Sequence, residues 1–215
     1  MSGKGMLICF SGIDGSGKST LVEHAAKYLS EKGFKDIIVC DAMKPCTYTD
    51  KLKGFSKEYG KNMFEVFGDD LVNVAFAVDL IKNLEHTILP ALEEGKIVIT
   101  HRYDLCCKAY SMLSNCDMAI INRILNLCPK PNLHFYLDID PSISVSRIKN
   151  RSKETGVKPA SKENYPTLTK ARNNYLNLIN KEYDTVTIVD TGENSEAELK
   201  LIIQEQINEL FNIRG

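Results

Sequence analysis

The chain has 215 residues, with 27 Lys plus Arg against 28 Asp plus Glu for a net charge of −1, and it is 43% hydrophobic and 26% charged. That length supports one core able to remove roughly 70% of the unfolded surface from water, which excludes a largely disordered chain. The near-neutral balance argues against a nucleic-acid partner, although Arg147, Lys149, Arg151 and Lys153 cluster locally.

Met1 to Gly5 holds one lysine and no apolar stretch, and no run of about 18 apolar residues occurs, so neither a leader nor a membrane span is expected. Met6 to Phe10 is a short apolar run ending in Ser-Gly. From Ser19 to Leu29, Leu21, Val22, Ala25, Ala26 and Leu29 then recur at helical spacing. Gly33 ends that helix, and Ile37 to Cys40 is too short for another, so the opening segment predicts a βαβ unit. Apolar residues from Leu71 to Ile88 predict one long helix over Asp69 to Glu94, stopped by Gly95 and followed by a strand over Ile97 to Thr100. Leu133 to Leu137 and Val186 to Val189 predict two further strands, and the pattern from Ala197 to Leu210 a closing helix. Five short strands alternating with helices predict an α/β fold: a five-stranded parallel sheet with helices on both faces, in one domain spanning 1–215. Asn150 to Pro166, rich in lysine and poor in apolar residues, is expected to be a mobile surface excursion, a lid. The seven cysteines form no CxxC and lie far from the four histidines, so no zinc or disulfide framework is expected, and a reducing, cytoplasmic setting fits.

Chemistry enters at Gly12-Ile13-Asp14-Gly15-Ser16-Gly17-Lys18-Ser19, which satisfies GxxxxGK[ST] between the first predicted strand and helix. Glycines there let backbone N–H groups turn onto phosphate oxygens, and the helix N-terminus adds positive potential. Gly12, Gly15, Ser16, Gly17, Lys18, Ser19 and Thr20 are therefore the expected ATP-binding set, Lys18 neutralising the β- and γ-phosphates and Ser19 ligating Mg²⁺. No NKxD tetrad is present, which argues against a GTPase. A small chain with a lysine-bearing flap suits transfer between two bound small molecules, because closure excludes water. These features predict the P-loop kinase fold.

Ligands of open α/β sheets lie beyond the carboxyl ends of the strands, which draws attention to His101-Arg102-Tyr103. Arg102 there can grip an acceptor phosphate with paired hydrogen bonds; the alternative is a surface ion pair with Asp104.

The phosphate loop, the AFAVD stretch at Ala75 to Asp79, HRYDLCCKAYS at His101 to Ser111, and PNLHFYLDIDPSISVSRI at Pro131 to Ile148 together resemble the thymidylate kinase family. The resemblance implies ATP-dependent phosphorylation of dTMP or a related deoxynucleotide, with Mg²⁺, by a homodimer whose candidate surface is the Asp69 to Glu94 helix. It implies that Asp14 approaches the acceptor sugar or the metal, Phe76 stacks on the base, Arg102 holds the acceptor phosphate, and Tyr110 crowds the 2′ position. Lys44, Tyr103 and Cys107 join this acceptor side, Cys107 either lining the pocket or packing beneath it. Lys18, Arg102 and Asp14 are the expected catalytic residues; Arg147 and Arg151 belong to the lid over ATP, and Thr191-Gly192 lies near adenine. The chain departs from the family pattern at Leu80, where an arginine is usual, at His101, where an aspartate is usual, and at Ala42 to Cys46, in place of REPGG. Phe76, His101 and His134 each have an alternative reading as core residues. Two other functions fit the same residues: a kinase whose acceptor is a hydroxyl, or a nucleotide-binding protein without turnover.

Overall fold

The computed structural model describes residues 5–213; residues 1–4 and 214–215, the ends of the expected domain and most of the segment in which no leader is expected, lie outside them. Strands β1 (Met6–Ser11), β2 (Ile37–Asp41), β3 (Ile97–His101), β4 (Leu133–Asp138) and β5 (Val186–Asp190) form one parallel sheet of order β2-β3-β1-β4-β5. All five fall on the expected apolar runs. β1 is central, with Leu7, Ile8, Cys9 and Phe10 fully buried, whereas Val39 and Ile188 on the edge strands are exposed.

Period-two alternation divides the core between the two faces of the sheet. Ile8, Phe10, Ile99 and Phe135 pack with Leu21, Val22 and Leu29 of α1 (Lys18–Glu31) and Ile203 and Ile207 of the closing helix, Glu196–Phe211. Leu7, Cys9 and Val98 face the opposite way, onto Ala77, Leu80 and Leu84 from the long helical segment. Side chains of this size each contribute about 1.5–3 kcal/mol when fully buried.

The expected single helix over Asp69 to Glu94 is longer and interrupted. After α2 (Tyr48–Glu58), α3 (Met63–Asn83) starts earlier because the Asn62 side chain accepts from the Phe64 and Glu65 N–H groups. A kink at Gly68 (φ 76°, ψ 168°) separates that first turn from the predicted segment. Leu84–Ile88 forms a π turn just before Pro90, which cannot donate to the preceding turn; the Leu89 N–H bonds to Leu84 instead, and α4 (Leu89–Glu93) follows. Most of the α3 stripe, including Val72, Ala77 and Leu80, faces the core, not a free surface.

The lid is shorter than the composition of Asn150 to Pro166 implies. Beyond α5 (Asp104–Ser111) and α6 (Met118–Leu125), α7 spans Pro141–Thr155 and carries Asn150 to Thr155 on its polar end, then stops at Gly156, φ 70°. α8 (Tyr165–Glu182) begins where Asn164 caps the Thr167 N–H, leaving only 156–164 irregular. The closing helix is α9 (Glu196–Phe211). No helix among the described residues is long and apolar enough to cross a membrane.

Candidate active site

The phosphate loop joins β1 to α1. A Cβ on Gly12 would lie 2.6 Å from Ser16 Oγ and 2.7 Å from the Leu137 carbonyl oxygen, so only glycine lets the chain leave β1 this close to β4. The Ser144 hydroxyl of α7 donates to the Asp14 carbonyl and pins the loop from the other side. No side chain caps α1, whose first turn therefore presents N–H groups of Lys18, Ser19 and Thr20; the Ser19 and Thr20 side chains are exposed. Ser16 Oγ is buried without a hydrogen-bond partner, a polar atom that an incoming oxyanion would satisfy. Lys18 Nζ donates to the Gly12 and Ile13 carbonyls at 2.9 and 2.8 Å. Burial brings its ammonium down to about 8.

Arg102 leaves the end of β3 in the left-handed region, φ 64°, an uncommon conformation for a residue with a Cβ, and its N–H donates to the Phe10 carbonyl at 2.9 Å. That turn aims the guanidinium between two carboxylates: Nη1 donates to Asp41 Oδ2 at 2.7 Å, and Nη2 to Asp14 Oδ1 at 3.4 Å. The alternative partner, Asp104, instead accepts from the Tyr183 hydroxyl at 2.7 Å.

Asp14 gathers the site. Besides Arg102, it accepts from the Tyr110 hydroxyl at 3.3 Å and stands 3.6 Å from Lys162 Nζ, which also lies over the Tyr110 ring. Burial pushes its carboxyl up, but Lys162, Lys18 and Arg102 outweigh that and hold it down at about 2. The lid carrying Lys162 is braced: Glu163 accepts from Arg151 at 2.9 Å and from the Ala160 N–H at 2.6 Å. Behind it, Arg172 of α8 grips Asp138 at the end of β4 through two bonds of 2.7 Å.

Arg147 donates to the Thr191 carbonyl at 2.8 Å, joining α7 to the Thr191-Gly192 segment after β5. Arg151 engages the lid rather than the loop. Lys44 is exposed on the segment after β2. Phe76 is half-buried and packs against the core cluster that holds Leu80 and Cys107. Cys107 is buried in that same cluster. Tyr103 is a correction: it does not line the cleft but is fully buried, its hydroxyl reaching the Pro129 carbonyl at 3.2 Å. Of the two neighbours of Arg102, His101 is part-exposed beside Asp41, whereas Tyr103 is fully buried. His134 is likewise a core residue, bonded to Ser11 Oγ at 2.8 Å.

His101 Nδ1 lies 3.7 Å from Asp41 Oδ2. Burial keeps its imidazole below the ordinary histidine range, so near neutrality this is a polar contact rather than an ion pair. Among the described residues, no group of three or more His, Cys, Asp or Glu side chains is arranged to hold a metal ion. Two residues of the site escaped the sequence reading. Lys162 was one of several equivalent lid lysines. Asp41 ends β2 and carried the available signal, an acid at the carboxyl end of a strand.

A phosphate loop, an arginine one strand away and a lysine-bearing lid meet at Asp14, an arrangement suited to phosphoryl transfer between two bound ligands. The family model for thymidylate kinase matches residues 10–202. The thymidylate kinase of Buchnera aphidicola subsp. Baizongia pistaciae is 34% identical over 82% of each chain. That of Blochmanniella pennsylvanica is 30% identical over 90% of this chain and 92% of its own. A probable thymidylate kinase of Archaeoglobus fulgidus is 30% identical over 97% and 98%. The chain belongs to the thymidylate kinase family.

Proposed function

We propose that the enzyme transfers the γ-phosphoryl group of ATP to dTMP, giving ADP and dTDP. The observation that carries this reading is the Arg102 guanidinium, held between Asp41 and the phosphate-loop residue Asp14. Gly12, Gly15, Ser16, Gly17, Ser19 and Thr20 would receive the triphosphate, and Lys18 would exchange its two loop carbonyls for phosphate oxygens. Arg147 and Thr191-Gly192 would border the adenine. On the acceptor side, Arg102 would hold the monophosphate, with Asp14 and Tyr110 at the sugar and Phe76 at the base. An acceptor phosphate oxygen attacks the γ-phosphorus while its bond to the β–γ bridging oxygen breaks, and the electron pair leaves on ADP. Little covalent chemistry is asked of the protein, so positioning and charge neutralisation carry the rate.

The lack of an acidic cage among the described residues suits Mg²⁺, which is held largely by substrate phosphates and needs few protein ligands; the exposed Ser19 hydroxyl would be one. Bound there, the ion would neutralise charge on the β- and γ-phosphates. We further place the enzyme in the cytoplasm as a single-domain homodimer.

The test is a panel of nucleosides and monophosphates with ATP, followed by ADP release. dTMP should be the preferred acceptor. Equal use of thymidine and dTMP would replace the proposal with a hydroxyl-acceptor kinase, and ATP binding without ADP release from any acceptor would replace it with a nucleotide-binding protein.

A further inference from the structure

We infer that Asp41 is a positioning residue for phosphoryl transfer, setting the guanidinium of Arg102 in the orientation that receives the acceptor phosphate. The inference deepens the reading above and rests on it. Parallel pairing places Asp41 directly beside His101 on the neighbouring strand, so the two strand ends deliver a carboxylate and the Arg102 turn to one point. The carboxylate is itself fixed. Oδ1 accepts from the Met43 N–H at 3.0 Å, and the Asp41 carbonyl accepts from the Lys44 N–H at 2.9 Å, closing a tight turn around it. Oδ2 is thereby aimed at Arg102 Nη1, 2.7 Å away, in a part-buried, charge-assisted bond.

The two carboxylates on Arg102 are not equivalent. Asp14 holds Nη2 at a loose 3.4 Å and is shared with Tyr110 and Lys162, so it can be drawn toward a substrate. Among the described residues, the charged or titratable side chains bonded or ion-paired to Asp41 are Arg102 and the neutral His101, and its other oxygen is occupied by backbone. It can therefore stay in place while the remaining N–H donors of the guanidinium take up a phosphate. Without it, a long side chain on a left-handed turn keeps, among the described residues, the loose Asp14 contact to fix it.

The experiment compares wild type, Asp41→Asn and Asp41→Glu. Asparagine keeps an oxygen for the Met43 N–H and loses the charge; glutamate keeps the charge with a longer reach. Asp41→Asn should raise KM for dTMP on the order of 10- to 100-fold while KM for ATP and the melting temperature stay near wild type, and Asp41→Glu should recover part of the loss. A parallel rise in KM for ATP, or an unchanged KM for dTMP, would overturn the inference. Phenylglyoxal labelling of Arg102, mapped by mass spectrometry, reads the pair without turnover. It should be faster in Asp41→Asn, and an unchanged rate overturns the inference. Wild-type protein that releases no ADP with dTMP would refute the proposed reaction alone, leaving the labelling to decide the role of Asp41.

Discussion

The Lys162 ammonium stands 3.6 Å from an Asp14 carboxylate oxygen and 4.7 Å from the centre of the Tyr110 ring, tying the lid to the phosphate loop. Half of the Lys162 side chain is exposed, so solvent screens the pair and its contribution to stability is small. On the proposed reaction its value is positional: it would bring a cation to the place where the phosphoryl group passes. Lys162→Ala should lower kcat about tenfold or more while changing unfolding free energy by less than about 1 kcal/mol. Steady-state kinetics with ATP and dTMP, paired with thermal melting, separates the two effects.

Asp14 makes stability depend on acid pH. Its folded carboxyl sits at about 2 against an ordinary 3.8, because Lys162, Lys18 and Arg102 outweigh the opposing burial. A depressed carboxyl stabilises the fold above its unfolded value, and that contribution is lost as pH falls through the folded one. Asp14→Asn should therefore cost on the order of 2 kcal/mol at pH 7, the difference from wild type closing between about pH 4 and pH 2. Urea denaturation across that range measures it.

Lys18 should set the alkaline side of the pH profile. Its ammonium, lowered to about 8 by burial, is present below that pH and lost above it. Because kcat/KM reports the free enzyme, kcat/KM for ATP should fall about tenfold per pH unit above about 8, whereas kcat should hold to higher pH once phosphates surround the amine. Lys18→Met should lower kcat on the order of 10²- to 10³-fold and abolish that limb while the chain still folds. An unchanged alkaline limb in the variant would assign it to another group.

The sequence discloses the strands and the loop because each is a local signal: an apolar run bounded by polar residues, and glycines at fixed spacing before a lysine. What it conceals is set by strand order and by caps. Asp41 meets His101 and Arg102 only because β2 lies beside β3, an adjacency that no local pattern encodes. Lys162 turns inward where Lys153 does not, because α7 continues to Thr155 and the Asn164 cap leaves a short span between the helices. The composition of Asn150 to Thr155 reads as loop, although a polar helix end has the same composition. Tyr103 follows a residue expected in the cleft, yet the left-handed step at Arg102 sends it into the core.

Two glycines of the loop should respond differently to alanine, although both have positive φ. At Gly15 (φ 83°), an added Cβ would lie 2.9 Å from both the Ser144 carbonyl and its hydroxyl, so α7 itself must move. At Gly17 (φ 90°), nothing lies within 4 Å, and only the backbone conformation is penalised. Gly17→Ala should cost about 1–2 kcal/mol, the usual penalty for a side chain in the left-handed region. Gly15→Ala should cost more than that, because it adds overpacking of about 1–3 kcal/mol to the same strain. The Gly15 variant should also lose the bond between Ser144 and the Asp14 carbonyl, so its ATP affinity should fall together with its melting temperature. Denaturant unfolding of both variants, with ATP titration by calorimetry, tests the order; equal destabilisation would show that α7 yields freely and does not brace the loop.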